Sequence, residues 1–173
     1  EVVLPALTHV GTAEAAWACG AKPVFADVCD DTLCLDPAAA AAAVTEKTRA
    51  LLPVHYAGRP CDMAELATVA EAAGAALVED AAHALTTDGP GGWRAGQETA
   101  GAALSFYATK ELCLGEGGAV VTDDAEAAAS MRRWALHGIE AQPSVPGDGR
   151  RDYDVVEHGH KMNVPDVLAA LGK

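Results

Sequence analysis

The sequence predicts an α/β protein: three α/β/α layers around a mostly parallel mixed sheet, with one strand antiparallel. Three observations carry that expectation. Short apolar or β-branched runs alternate with longer Ala-rich segments of helical period, the signature of βαβ units and of a sheet covered on both faces. Of the 173 residues 50% are hydrophobic and 21% charged, so the chain can bury a core and is not a disordered segment. Two of the strand runs are joined by only about ten residues, too few for a right-handed parallel crossover, so one of the two must reverse.

The elements follow in order. A first strand is expected over residues 2–6 and a helix over 12–19, ended by Gly20 in the position just past a helix C-terminus. A second strand occupies 23–28. Asp36 is a good helix N-cap with Pro37 in the first helical position, and the alanine run behind them is explained by a helix. After a strand at 50–55, Asp62 caps a helix that runs to Ala73 and stops at Gly74. The fourth strand is 75–80. Residues 86–101, rich in Gly, Thr and Pro, read as a surface excursion with a small hairpin around Asp88 and Gly89. Strands at 102–107 and 118–122 flank a connection that contains Gly115 and Gly117. Asp123 or Asp124 opens a helix through Trp134, residues 141–152 read as a mobile loop, and Pro165 begins a last helix. All of this reads as a single domain over 1–173. Its first residues already look like a strand in progress, with no initiating Met.

Charge and composition exclude several functions. With 12 basic and 25 acidic residues the net charge is −13, which repels phosphate backbones and anionic lipid, so neither nucleic acid nor a membrane surface is an expected partner. No apolar stretch approaches the roughly 18 residues of a membrane span, and no signal peptide is evident. The five cysteines, Cys19, Cys29, Cys34, Cys61 and Cys113, are scattered and never form a C-x-x-C pair. That pattern favours reduced thiols acting as small hydrophobes in a cytoplasmic protein. His158 and His160 form an H-x-H pair with no third ligand nearby, so a solvated loop is expected there and no metal site.

In an open α/β sheet, ligands sit at the carboxyl ends of the strands. That rule singles out Thr8 and His9 after the first strand, His55 after the third, Asp80 and His83 after the fourth, and Ser105 to Lys110 after the fifth. Asp80 closes an apolar run and precedes small Ala81 and Ala82, so it is either a ligand group or a satisfied helix cap. Lys110 is either a nucleophile at a partly desolvated strand end or an ordinary loop lysine. His55 and His137 read equally well as satisfied core-edge histidines or as substrate contacts. A carboxylate and a lysine on separate strand ends form the minimal pair for pyridoxal phosphate: the acid keeps the pyridine nitrogen protonated and the lysine forms the imine. Gly115 to Gly118 matches neither a Walker pattern nor G-x-G-x-x-G, so these glycines are read as a turn beside the cofactor.

At this point the residues resemble a family. The blocks Val78-Glu79-Asp80-Ala81-Ala82-His83-Ala84, Ser105-Phe106-Tyr107-Ala108-Thr109-Lys110 and Gly115-Glu116-Gly117-Gly118-Ala119-Val120-Val121-Thr122 look like the DegT/DnrJ/StrS sugar aminotransferases, of pyridoxal phosphate (PLP) fold type I. Val3 to Thr8, Lys22 to Val28, Leu51 to His55, Leu136 to Ile139 and Asp166 to Gly172 agree in order, so the similarity spans nearly the whole chain. The resemblance implies that Lys110 is the Schiff-base lysine and proton carrier, that Asp80 pairs with the pyridinium nitrogen, and that Ser105 bonds the cofactor phosphate. It implies that His83 lies near the ring hydroxyl and the substrate. His9 stands where many relatives carry an aromatic residue stacked on the pyridine. In the stretch Gly159-His160-Lys161-Met162-Asn163, either Lys161 or Asn163 is the side chain that reaches the partner subunit's cofactor in a homodimer.

The expected function is therefore transfer of an amino group from glutamate or glutamine to a nucleotide-linked keto sugar through Lys110. Two alternatives stand beside it: amination of a cyclitol or another ring ketone, and a non-catalytic module that binds a sugar nucleotide. Dehydrating relatives replace the lysine by histidine, so Lys110 counts against that branch. Against the family, the chain reads as the incomplete large domain, lacking an opening section and the C-terminal small domain. Alone, it is expected to bind PLP poorly and to turn over little.

Overall fold

The computed structural model describes residues 1–141 and 152–173, in two compact units, Glu1–Asp123 and Asp124–Lys173. Most of the loop expected at 141–152 lies outside the described residues.

The first unit holds β1 (Val2–Pro5), α1 (Val10–Ala18), β2 (Pro23–Ala26), α2 (Pro37–Ala43), β3 (Ala50–Leu51), α3 (Met63–Ala73), β4 (Ala76–Asp80), β5 (Gly101–Ser105) and β6 (Gly118–Val121). They form one six-stranded sheet in the order β2-β1-β3-β4-β5-β6, parallel throughout except for the antiparallel β5–β6 pair. The reversal falls where the short connection requires it. Ser105 pairs with Gly118, and a Cβ on Gly118 would stand 2.5 Å from the Leu104 carbonyl oxygen, so only glycine lets the two strands approach there.

The helix ends follow from local chemistry. Asp36 accepts from the Ala38 amide at 2.9 Å, Asp62 from Glu65 at 3.0 Å, and Asp124 from Glu126 at 2.8 Å, each satisfying orphan donors of a first turn. Gly74, with φ +60, ends α3 in the left-handed conformation. The first helix begins two residues earlier than its apolar period suggests, because His9 caps it: its Nδ1 accepts from the Gly11 amide at 3.0 Å.

Beyond shifts of one or two residues at element ends, two elements depart further from the sequence expectation. The third strand covers only Ala50–Leu51, because Pro53 has no N–H to donate, and pairing resumes as an isolated bridge from Val54 to Asp80. No hairpin forms at Asp88 and Gly89. Pro90 fixes a 3₁₀ turn over Pro90–Gly92, Gly91 and Gly92 take φ +70 and +82, and the Gly89 amide closes on the Trp93 carbonyl at 2.9 Å.

The main core lies between the sheet and α2 and α3, where Val3, Leu35, Leu51, Leu66, Ala70 and Leu77 are buried. Cys34 and Cys61 belong to it, whereas Cys19 and Cys113 are exposed, so the reading of cysteines as small buried hydrophobes holds for only part of the set. Cys34 Sγ donates to the Arg59 carbonyl and Cys61 Sγ to the Val54 carbonyl, and the interaction of these two thiols holds Cys34 below the ordinary thiol range and pushes Cys61 above it. A second, smaller cluster joins Ala81, Ala84 and Ala102.

Between the clusters runs a buried polar network. The His55 and Glu79 side chains are fully buried, with His55 Nε2 2.9 Å from Glu79 Oε2. Because His55 Nδ1 accepts from the Cys61 amide at 3.2 Å, the ring proton sits on Nε2 and is donated to Glu79. Glu79 Oε1 accepts from the Gly96 amide at 2.8 Å and the Thr99 hydroxyl at 2.7 Å, which pins the 86–100 excursion onto β4.

The second unit contains α4 (Ala125–Trp134), an antiparallel pair of β7 (Ile139–Ala141) and β8 (Tyr153–Val155), and α5 (Asp166–Ala169). Arg133 on α4 pairs with Glu157 at 3.0 Å, and the His137 and Met162 amides donate to His160 and Ala135.

Candidate active site

Asp80 is the last residue of β4, and its position is fixed by backbone bonds on both sides: its amide donates to Pro53 at 2.9 Å and its carbonyl accepts from His55 at 3.1 Å. Its carboxylate is half-buried and has one donor on each oxygen. The Ala82 amide donates to Oδ1 at 3.1 Å, and the Thr12 hydroxyl donates to Oδ2 at 2.8 Å. Thr12 is buried, and its oxygen lies 2.7 Å from that of Thr8. Since the Thr12 hydrogen is spent on Asp80, Thr8 must donate to Thr12, which makes a directed chain from Thr8 through Thr12 to Asp80. Each carboxylate oxygen keeps acceptor capacity beyond that one bond.

Asp80 thus caps a turn through the Ala82 amide and keeps acceptor capacity for a ligand as well, so it combines features of both sequence alternatives. Thr12 had no signal of its own in the sequence, because a threonine in the first turn of a helix reads as neutral. The signal that could have found it is its position on the helix after β1, whose N-terminus lies at the carboxyl end of the sheet.

The lysine loop leaves the neighbouring strand at the same end, since β4 and β5 are parallel and Asp80 is in register with Ala103. Ser105 ends β5, and its Oγ accepts from the Tyr107 amide at 3.3 Å, leaving its own hydrogen to donate. The chain then turns: the Lys110 amide donates to Tyr107 at 2.9 Å, Leu114 to Phe106 at 2.9 Å, and Phe106 to Gly117 at 2.9 Å. Leu114 is buried and anchors the loop, while Lys110 is half-buried. Among the described residues Lys110 Nζ has no hydrogen-bond or ion-pair partner, so the amine is available.

The other expected residues fall in different places. His83 is exposed, on the turn that follows Asp80. His9 is exposed at the head of α1 next to Thr8, with Nδ1 occupied as the helix cap. Lys161 and Asn163 both lie in the second unit, exposed, and the Lys161 ammonium donates to Asn163 Oδ1. His55 is a satisfied core histidine, with both ring nitrogens engaged and the ring 4.6 Å from that of Trp93. His137 is exposed, with φ +58. His160 packs on Trp134 at 4.3 Å, and among the described residues no three His, Cys, Asp or Glu side chains form a metal-binding group.

These groups fit pyridoxal phosphate by their chemistry. Asp80 offers a braced acceptor for a ring N–H, Ser105 a free hydroxyl hydrogen for a phosphate oxygen, and Lys110 an unpaired amine for the aldehyde.

Comparison with known proteins agrees. The profile of the DegT/DnrJ/EryC1/StrS aminotransferase family matches residues 1–173. The chain is 43% identical over 179 aligned residues to the spore coat polysaccharide biosynthesis protein SpsC of Bacillus subtilis, covering 99% of this chain and 44% of SpsC. Among solved structures, DesI, crystallised with its TDP-sugar product, superposes with a TM-score of 0.84 at 38% identity, over 99% of this chain and 41% of DesI. The Streptococcus pneumoniae protein Spr1654 in its PLP form gives 0.84 at 30% identity, over 99% of this chain and 47% of that one. The chain therefore spans less than half the length of each of these relatives. Family profile, fold and the Asp80 and Lys110 strand ends converge: this chain belongs to the DegT/DnrJ/EryC1/StrS aminotransferases, a family that works with pyridoxal phosphate.

Proposed function

We propose that this chain carries the cofactor platform of a sugar aminotransferase, which moves an amino group from glutamate or glutamine to a keto sugar linked to a nucleotide. One observation carries the reading: an available lysine and a braced carboxylate leave adjacent parallel strands at the same end of the sheet. The product bound to DesI is a TDP-sugar, which supports a nucleotide-linked substrate here.

When bound, pyridoxal phosphate supplies an aldehyde that exchanges amines and a protonated ring that takes up an electron pair. The rest of the chemistry belongs to side chains of this chain. Asp80 holds a negative charge opposite the ring nitrogen, and the Thr8–Thr12 chain keeps that carboxylate aimed. Ser105 donates to phosphate, a local neutral contact that matters in a molecule with a net charge of −13. Lys110 Nζ would take the proton lost by the donor's carbon and pass it to the cofactor's former aldehyde carbon, and in the second half would move a proton from that carbon to the sugar's, so one amine serves both halves. With the cofactor bound, His83 would face the substrate side, His9 would lie against the ring, and Lys161 or Asn163 would reach the cofactor of a second subunit in a homodimer. The scattered, unpaired cysteines favour a reducing, cytoplasmic setting for such a protein. Among the described residues no helix is long and apolar enough to cross a membrane.

The test is borohydride reduction of the PLP-loaded full-length protein, of which this chain is the cofactor-holding part, followed by peptide mapping. A pyridoxyl group on Lys110, absent in Lys110→Ala together with turnover of a keto-sugar nucleotide, supports the assignment. Trapping nowhere, or turnover without the lysine, overturns it in favour of a binding module.

A further inference from the structure

The residue after the lysine has no role in the chemistry above, yet among the described residues its side chain makes the long-range hydrogen bonds of the lysine loop. Glu111 reaches back across the sheet end to the turn after β4. Its Oε2 accepts from the Leu85 amide at 2.9 Å and its Oε1 from the Thr86 hydroxyl at 3.2 Å, from residues 26 and 25 positions earlier. The turn it grips is the one that begins at Asp80 and carries His83. That turn is also tied to β5 by the Ala81 amide on the Ala103 carbonyl at 2.9 Å, internally by Ala84 to Ala81 and Thr87 to Ala84, and by Thr87 Oγ1 on the Gly58 carbonyl at 2.9 Å. Apart from Glu111, the hydrogen bonds of the lysine loop among the described residues are its own internal ones and the Gly117 contact.

We infer that Glu111 is a positioning residue for the proposed Lys110 chemistry: its carboxylate clamps the lysine loop to the Asp80–Thr86 turn and so fixes the distance between the amine and the groups it must serve. Two physical arguments carry this. Lysine has four rotatable bonds, so the reach of Nζ is defined only if its Cα is held, and a charged acceptor engaged by two donors is the strongest bond available to an exposed loop. The same engagement decides where the negative charge goes. An adjacent free carboxylate could fold onto Lys110, hold it as an ammonium and draw it from the site; among the described residues no Lys110–Glu111 ion pair exists, and both oxygens are spent on the other turn.

The inference rests on the proposed function, and its test separates the two. The PLP-loaded full-length protein is compared with its Glu111→Ala, Glu111→Gln and Thr86→Val variants by the rate of borohydride trapping on Lys110, the pH midpoint of the lysine-bound cofactor absorbance, and hydrogen exchange at the Leu85 amide in the cofactor-free protein. Glu111→Ala is expected to slow trapping about tenfold, to move the midpoint and to speed Leu85 exchange. Glu111→Gln, which keeps one acceptor oxygen, recovers part of each. Thr86→Val, which leaves Glu111 intact and is the milder change, gives a smaller effect of the same sign and adds nothing in the Glu111→Ala background. Trapping in the parent protein with rate and midpoint unchanged in both Glu111→Ala and Thr86→Val overturns the clamp while leaving the function standing. Absence of trapping in the parent protein overturns the function, and the clamp with it.

Discussion

The two ends of the six-stranded sheet are held by different forces. Under α2 and α3, β1, β3 and β4 bury Val3, Leu51 and Leu77 against Leu35, Leu66 and Ala70. Each large aliphatic side chain there contributes about 1.5–3 kcal/mol of apolar burial. Toward β5 the core thins to three alanines, with Ala95 and Leu104 packed on them. What replaces the lost cohesion is directional: Glu79 gripping Gly96 and Thr99, Thr122 on the Ala100 carbonyl, and Glu111 gripping Leu85 and Thr86. Apolar packing supplies stability with little positional demand, whereas a hydrogen bond fails within a fraction of an ångström. The half that carries Lys110 is therefore built for placement and borrows its stability from the half that does not.

Three substitutions sharpen or break that contrast. Glu79→Ala strands the His55 Nε2–H, the Gly96 amide and the Thr99 hydroxyl in buried surroundings, and should cost about 3–5 kcal/mol in denaturant unfolding. A loss under about 1 kcal/mol would mean the polar network is decoration. Leu66→Ala, at a fully buried site on α3, should cost about 3 kcal/mol while leaving borohydride trapping on Lys110 unchanged in any molecule that stays folded. If trapping falls in step with stability, the two halves are not separable. Asp62→Ala removes the α3 cap and should cost about 1 kcal/mol, again with no change in trapping.

Much of this was legible because its causes are local. Asp36 with Pro37, Asp62 with Gly74, and Asp124 act within a turn of the chain, so the helices they bound could be read directly. The reversal of β6 followed from the length of one connection. Asp80 and Lys110 could be singled out because strand ends in a parallel sheet are predictable places. The rest depends on partners distant in sequence. Thr12 matters only because β4 brings Asp80 beneath it, and Glu111 only because β4 and β5 set two turns side by side. The β7–β8 pair has three residues per strand, too few to show alternation. At Asp88 and Gly89 the turn chemistry was visible but its product was not: Pro90 and two left-handed glycines favour a 3₁₀ turn over the expected hairpin.

The close approach at Gly118 has a consequence for how reliably the lysine is placed. If β6 slid by one residue in one direction, the Ala119 methyl would be driven against the Leu104 carbonyl that Gly118 now clears. Sliding the other way would take a residue out of the lysine loop, and either shift would turn Val120 and Val121 onto the wrong faces. A missing side chain thus works as a key that admits one alignment, so that every folded copy counts the same number of residues from the last rung of the ladder to Lys110.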